Sequence, residues 1–214
     1  IYLGLDITAP FECLGAGSYL RRLQFWIVAP LVLIVVLFGV GVAVRRGNWR
    51  AGATWALPLV IRLMFVLYST INLRAFEAFR CYDFGVDGRW LMADVEVACE
   101  SPAHSWIKIN AWVAIAIYPI GWTATTALLL FAARKSIAGK EPPTALSHAL
   151  SFVTDEFEAD MFWWEVLEML RRFLLVGMMS IVLEGTLVQI CIAALFCILY
   201  LVLQLQANPY KDPS

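Results

Sequence analysis

The chain contains long intervals that hold no ionisable side chain, and these intervals limit what it can fold into. The first covers residues 23–44 and lies between Arg21-Arg22 and Arg45-Arg46. Roughly 20 apolar residues in helical conformation cross a hydrocarbon core of about 30 Å, and charged side chains are rare and costly at that depth. The pattern therefore predicts that residues 23–44 form a helix that spans a membrane.

The composition of the chain favours lipid over water as its surroundings. Hydrophobic residues make up 61% of the sequence and charged residues only 15%, whereas soluble domains are about half apolar and a quarter charged. The 16 basic and 17 acidic residues nearly cancel, so there is no strong positive field to attract nucleic acid. We expect an integral, multi-pass membrane protein whose partner is the lipid bilayer, with no nucleic-acid partner.

Four further apolar runs follow the first. The second is interrupted only by Arg62, and the fourth carries its charges in its first three turns. These runs cover residues 53–71, 109–133, 161–183 and 185–209. The predicted fold class is an all-α, polytopic transmembrane helix bundle of about five spans with a short, disulfide-closed extracellular hairpin loop.

The positions of Lys and Arg near the span ends predict the orientation, because cytoplasmic loops carry an excess of them. We assign the larger of two sets to the cytoplasm. The cytoplasmic set is Arg45, Arg46, Arg50, Arg134, Lys135, Lys140, Arg171, Arg172 and Lys211, and the other set is Arg21, Arg22, Arg74, Arg80, Arg89 and Lys108. The resulting division is an extracellular segment 1–22, two spans in 23–72, an extracellular cysteine-containing loop 73–105, a third span in 106–134, a cytoplasmic connector 135–160, and the fourth and fifth spans in 161–214.

Three of the five cysteines, Cys13, Cys81 and Cys99, fall in the predicted extracellular segments, where oxidising conditions permit disulfides. Cys81 and Cys99 bracket alternating apolar residues and an Asp87-Gly88 pair, which is typical of a tight turn between strands. We expect a small hairpin closed by a Cys81–Cys99 disulfide. The alternative is three free thiols.

The few charges inside the predicted spans are the candidate functional residues. A lone arginine within an apolar segment costs roughly 2.5–3.5 kcal/mol on insertion scales, so Arg62 needs a partner. We expect a bridge from Arg62 to Glu168 or Glu165 of the fourth span, and the alternative is that Arg62 extends to the inner headgroups. Glu168 and Arg172 are spaced as a favourable i,i+4 pair, and Arg171 falls within the same arc of this helix.

The sequence contains no pattern that supports enzymatic chemistry. It has no glycine-rich phosphate loop, no His/Cys cluster with metal-ligand spacing, and no nucleophile with a credible base. We therefore expect no catalytic activity, no cofactor and no metal site.

Four segments occur in a fixed order along the chain: FRCYDFGVDGRWLMADVEVACES, IYPIG, FWWEVLEMLRRFLLVG and NPYKDPS. Together they resemble the membrane domain of algal and protist proteins described as TRP-like (transient receptor potential-like) channels. The resemblance implies a subunit of a cation channel in a plasma or ciliary membrane, and a channel of this type would be a homo-oligomer of four copies.

The resemblance does not indicate which residues form the pore. The link between the fourth and fifth spans, about Glu184 to Thr186, is too short for a re-entrant helix and filter. We expect the chain to be a piece of a longer protein, with the pore in the loop after the second span or beyond Ser214. The alternative function is a non-conducting membrane anchor or an accessory subunit that contacts other subunits of a larger membrane complex.

Overall fold

The computed structural model describes residues 17–178, 181 and 186–211, and this part of the chain is mostly helical. We number its elements in chain order. They are α1 Tyr19–Val44, α2 Trp49–Phe76, β1 Cys81–Asp83, β2 Arg89–Leu91, β3 Asp94–Ala98, α3 Pro102–Ile137, α4 Ala145–Thr154, α5 Trp164–Arg172 and α6 Leu187–Ala207. A π-helical stretch, Ala116–Trp122, lies within α3, and a second one, Phe173–Met178, continues α5.

Four described helices, α1, α2, α3 and α6, are long and apolar enough to cross a membrane. They correspond to the first, second, third and fifth predicted spans. The predicted fourth span, residues 161–183, includes α5 and its π-helical extension, while residues 179–180 and 182–183 lie outside the described residues. Within the described residues the fold is therefore a helix bundle with four candidate spans, and it is not strictly all-α because it contains a small sheet.

Side-chain caps set the start of four helices. In each case the residue before the helix accepts a hydrogen bond from the backbone N–H three positions later, which satisfies a donor that has no partner within the helix. These caps are Asn48, Ser101, Thr144 and Thr186. At Ser101 the next residue is Pro102, which is favourable at the first helical position because its missing N–H would have no helical partner there.

The first two helices pack against each other as an antiparallel pair along their whole length. At one end the Tyr19 hydroxyl donates a hydrogen bond to the backbone carbonyl of Arg74. At the other end Gly41 meets Gly52, and a Cβ added at Gly41 would lie 2.6 Å from the Gly52 carbonyl oxygen. Small residues permit this close backbone approach, which drives helix association where no hydrophobic effect operates.

A hydroxyl group from α3 donates to the backbone of α1 one turn before a proline. Pro30 lies inside α1 and supplies no backbone N–H. The Tyr118 hydroxyl donates to the Ile27 carbonyl, three residues earlier, at 2.5 Å. Neighbouring helices commonly supply such bonds in membrane bundles, and this one fixes α3 against α1.

The loop between α2 and α3 forms a three-stranded antiparallel sheet in the order β1-β2-β3. Cys81 pairs with Leu91 across the first two strands, and Leu91 is buried in the core formed with α1, α2 and α3. A disulfide joins Cys81 to Cys99, with 6.5 Å between their Cα atoms. The predicted disulfide is confirmed, and Gly88 occupies the turn between β1 and β2 with φ +86°. The predicted hairpin gains a third strand. Cys13 lies outside the described residues.

A buried histidine fixes the sheet to the helix ends. His104 lies in the first turn of α3, and its Nε2 is 3.0 Å from the carbonyl oxygen of Ala78. Its Nδ1 accepts the backbone N–H of Glu100 at 3.1 Å. We call this side of the bundle, where the sheet meets α1, α2 and α3, the disulfide end.

We expect the disulfide to contribute measurably to stability. The two cysteines are separated by 18 residues, and the loop-closure model gives a stabilisation of about 3 kcal/mol for a ring of roughly this size. Cys99→Ala should therefore lower the midpoint of thermal unfolding, measured without reductant on the purified protein. Cys191→Ala removes an exposed free thiol of α6 and is the control. Equal midpoints for the two variants would contradict the prediction.

The glycine contact between α1 and α2 gives a second test. Gly41→Ala places a methyl group against the Gly52 carbonyl and the Trp55 ring, and such overpacking costs about 1–3 kcal/mol. Gly39, one half-turn away, has no atom within 4 Å of an added Cβ, so Gly39→Ala should change the unfolding free energy by less than about 0.5 kcal/mol. Chemical denaturation in one detergent measures both, and an equal loss from the two substitutions would disprove the close contact.

Candidate functional site

The candidate site is a group of four charged residues on α5, Glu165, Glu168, Arg171 and Arg172, which we call the charge cluster. The spacing of Glu165, Glu168 and Arg172 places these three on one face of the helix, and Arg171 follows Glu168 by three positions. The two glutamate side chains are only 8% and 6% exposed. Two acids and two bases are therefore held together inside an apolar bundle.

Both carboxylate oxygens of Glu168 accept hydrogen bonds. Arg171 donates to its Oε2 from Nη2 at 2.5 Å and from Nε at 3.1 Å. The Tyr200 hydroxyl of α6 donates to its Oε1 at 2.7 Å, and the Arg171 guanidinium lies 4.8 Å from the centre of the Tyr200 ring. Charge-assisted hydrogen bonds of this kind are about twice as strong as neutral ones. They connect α5 to α6.

Glu165 has a looser environment. Its Oε1 lies 3.8 Å from Nη1 of Arg172, and this buried oxygen accepts no hydrogen bond from the described part of the chain. The Arg172 guanidinium lies 4.7 Å from the centre of the Phe65 ring on α2. The Arg172 side chain therefore connects α5 to α2, and the formal charges of the cluster sum to zero.

Tyr68 of α2 completes the site at the point where α5 changes to π-helical geometry. Its hydroxyl donates to the Met169 carbonyl at 3.1 Å and lies 3.3 Å from the hydroxyl of Thr123 on α3. A cavity of about 10 Å³ adjoins these groups and is bounded by α2, α3, α4 and α5, with Tyr68, Glu165 and Arg172 in its lining. Its size is close to the minimum that holds one water molecule.

The predicted bridge from Arg62 to Glu168 or Glu165 is wrong. Arg62 is exposed, its guanidinium lies 5.4 Å from the centre of the Phe152 ring on α4, and it makes no ion pair among the described residues. The connector helix α4 packs against α2 beside Arg62, where Phe152 also contacts Phe65. The arginines that pair with the two glutamates, Arg171 and Arg172, belong to α5 itself.

The pairing within α5 also differs from the prediction. The expected i,i+4 pair of Glu168 with Arg172 does not form. Glu168 pairs with Arg171, three residues away, and Arg172 pairs with Glu165, two turns earlier. Aromatic neighbours explain the choice, because the ring of Tyr200 receives one guanidinium and the ring of Phe65 receives the other.

Three hydroxyl groups that complete the site were not predicted from the sequence. Tyr68, Thr123 and Tyr200 each belong to a different apolar helix, and no spacing pattern relates them to α5. Their only signal is that a polar hydroxyl within an apolar span needs a hydrogen-bond partner. The structure supplies those partners from α5 and from the other helices.

The segment after α6 folds back onto the connector. Pro209 accepts the Glu158 backbone N–H at 2.8 Å, and Lys211 donates its backbone N–H to the Glu156 carbonyl at 3.1 Å. The Tyr210 ring packs against Phe157 at 5.3 Å. Burial, followed by the nearby negative charge of Glu168, raises the pKa of Tyr210. This segment therefore covers the part of the molecule that is adjacent to the charge cluster.

One group among the described residues has the spacing of a metal site. The ligand atoms of Cys81, Cys99 and His104 lie within 4.8 Å of one another. Both sulfurs belong to the disulfide, and both ring nitrogens of His104 have backbone partners. These atoms are therefore committed to the fold of the sheet.

Comparisons of the chain with protein-family models, curated proteins and solved structures find no match.

Double-mutant cycles distinguish the observed contacts of Glu168 from the predicted bridge. Glu168→Gln combined with Tyr200→Phe should show a coupling of about 1 kcal/mol in the unfolding free energy, because the two side chains share a hydrogen bond. Glu168→Gln combined with Arg62→Gln should be additive within about 0.5 kcal/mol. Denaturation of the purified protein in one detergent measures both cycles. A larger coupling with Arg62 than with Tyr200 would contradict the structure.

Proposed function

We propose that the chain is a membrane-embedded subunit of a TRP-like cation channel, and that its bundle supports a pore or senses a stimulus for it. Two of the four segments that resemble such channels carry the features described above. Residues 79–101 include the disulfide sheet, and residues 162–177 include the charge cluster. The proposal therefore joins the motif resemblance to two structured parts of the molecule.

The observation that carries the proposal is the burial of the charge cluster among apolar helices. Ionisable residues inside membrane bundles are rare, and they mark ion pathways, proton relays or voltage sensors. Arg171 and Glu168 both belong to α5 and move together, so a displacement of α5 relative to α6 would break the hydrogen bond from Tyr200 to Glu168 and remove the Arg171 guanidinium from the Tyr200 ring. Moving one unit charge through the full membrane potential changes the free energy by about 2.3 kcal/mol per 100 mV. In this proposal the intact cluster couples α5 to α6, and a substitution that leaves one of its charges unpaired makes the movement of α5 depend on voltage.

The proposed topology has five crossings. Met169 contacts Tyr68, and a side chain at Gly177 would collide with the Phe76 ring, so α5 and its extension follow α2 towards the disulfide end. We infer that residues 161–183 supply the fourth crossing, which places the disulfide sheet outside the cell and the connector in the cytoplasm. Oxidising conditions outside the cell suit a disulfide at this position.

The exposed apolar surfaces of α1 and α6 support the proposed assembly. No residue of α6 is buried within the described part of the chain. In the proposal, lipid covers one part of these surfaces and neighbouring subunits of a tetramer cover another. Closed cyclic symmetry is the usual arrangement of homo-oligomers.

Reconstitution of the full-length protein into planar bilayers tests the function. We expect a cation conductance whose dependence on voltage changes when the cluster is altered. Glu168→Gln should shift the midpoint of activation by tens of millivolts, an order of magnitude that follows from the field energy of a unit charge. Arg62→Gln removes a charge from an apolar helix outside the cluster and should leave the midpoint within the error of the wild type.

Two results would overturn the proposal. One is the absence of conductance under voltage, membrane stretch and changes of lipid. The other is a single copy of the chain packed on unrelated subunits in the native complex, which would identify a non-conducting anchor or an accessory subunit. Native mass spectrometry of the purified complex gives the number of copies.

A further inference from the structure

A cavity of about 180 Å³ opens at the disulfide end between the first turn of α1, the last turn of α2 and the turn that joins β2 to β3. It lies outside the charge cluster and contributes nothing to the function proposed above. A water molecule needs only about 10–15 Å³ of such volume, so the cavity admits a group of several heavy atoms.

The lining of this cavity is strongly basic. Three arginines, Arg22, Arg74 and Arg80, face one carboxylate, that of Glu77, which leaves a formal charge of +2. Glu77 is paired with Arg74 at 3.2 Å. The adjacent carboxylate of Asp94 accepts the Tyr19 backbone N–H at 2.8 Å. Such a lining attracts an anionic group.

The Arg22 guanidinium group lines this cavity. Its Nη2 donates to the Ala93 carbonyl at 3.2 Å, which holds the side chain against the turn between β2 and β3. The guanidinium group is well suited to phosphate, because its parallel N–H groups match two oxygens.

The other residues that line the cavity indicate what kind of molecule supplies the anionic group. Leu23 and Trp26 form an apolar side of the cavity, and they begin the charge-free run of α1. The boundary between arginines and apolar residues marks the depth at which headgroups and aromatic belts occur. The cavity therefore has a basic side and an apolar side, which match the charged headgroup and the apolar chains of an anionic phospholipid.

We propose that this cavity binds a phosphate group, supplied either by the headgroup of an anionic phospholipid or by phosphate in solution. Arg22 donates to a phosphate oxygen from the side of its guanidinium group that lines the cavity, and Arg74 and Arg80 supply further positive charge. Leu23 and Trp26 contact the apolar part of a lipid.

Native mass spectrometry of the purified full-length protein in a maltoside detergent tests the proposal. The probes are phosphatidic acid, diacylglycerol with the same acyl chains, and inorganic phosphate at constant ionic strength. We expect phosphatidic acid to be retained and diacylglycerol to be lost. Arg22→Gln should weaken the binding of phosphatidic acid by about tenfold, because one charge-assisted hydrogen bond is removed. Arg21→Gln removes the neighbouring charge, which lies outside the cavity lining, and should have less than about a twofold effect.

A second variant covers the case in which Arg22→Gln does not fold. Ala93 occupies the turn after β2, a position at which aspartate is well tolerated, so Ala93→Asp adds a carboxylate at the rim and should weaken binding similarly. Retention of phosphatidic acid alone identifies a lipid site, and a rise in the unfolding temperature with inorganic phosphate identifies a site that also accepts the free ion. Equal retention of diacylglycerol, or equal losses from Arg21→Gln and Arg22→Gln, would overturn the proposal.

Discussion

A carboxylate buried in an apolar bundle has to be neutralised where it lies, and Glu168 meets this requirement through Arg171 of its own helix. The rest of the bundle is arranged around that pair. Tyr200 of α6 donates to the same carboxylate, and its ring receives the arginine. The strength of charge-assisted hydrogen bonds away from water makes this a strong contact for α6, none of whose residues is fully buried within the described chain.

The disulfide end and the charge cluster stabilise the bundle by different means. At the disulfide end a covalent bond, a buried histidine and the packing of Leu91 hold a short sheet against the helices. This sheet is too small to be stable alone. In the interior, where a sheet edge would leave backbone groups unsatisfied, polar side chains from α2 and α6 contact α5 instead. Tyr68 provides the clearest case, since its hydroxyl donates to the Met169 carbonyl in the last turn of α5.

Local patterns were enough to predict much of this architecture. Long runs with at most one charge identified the four candidate spans of the described residues, and the alternation between Cys81 and Cys99 with the Asp87-Gly88 turn predicted the disulfide-closed strands. The site residues of α5 were also recognisable, because four charges in an apolar run stand out in any sequence. The partner of each charge was not predicted. Arg62 was expected to reach Glu165 or Glu168, but α4 packs beside it and its Phe152 contacts the guanidinium.

The sequence by itself determined which segments are long and apolar enough to cross a membrane and which side chains are too polar to lie in such segments alone, since both follow from the cost of desolvating a charge. Only the tertiary structure decided how those charges are paired. Glu168 with Arg171 and Glu165 with Arg172 are chosen over the i,i+4 alternative because Tyr200 and Phe65, from two other helices, present aromatic rings to the two guanidinium groups. Contacts of this kind depend on how neighbouring helices are rotated and shifted along their axes. Helix packing sets these positions, and the spacing of residues along one helix does not encode them.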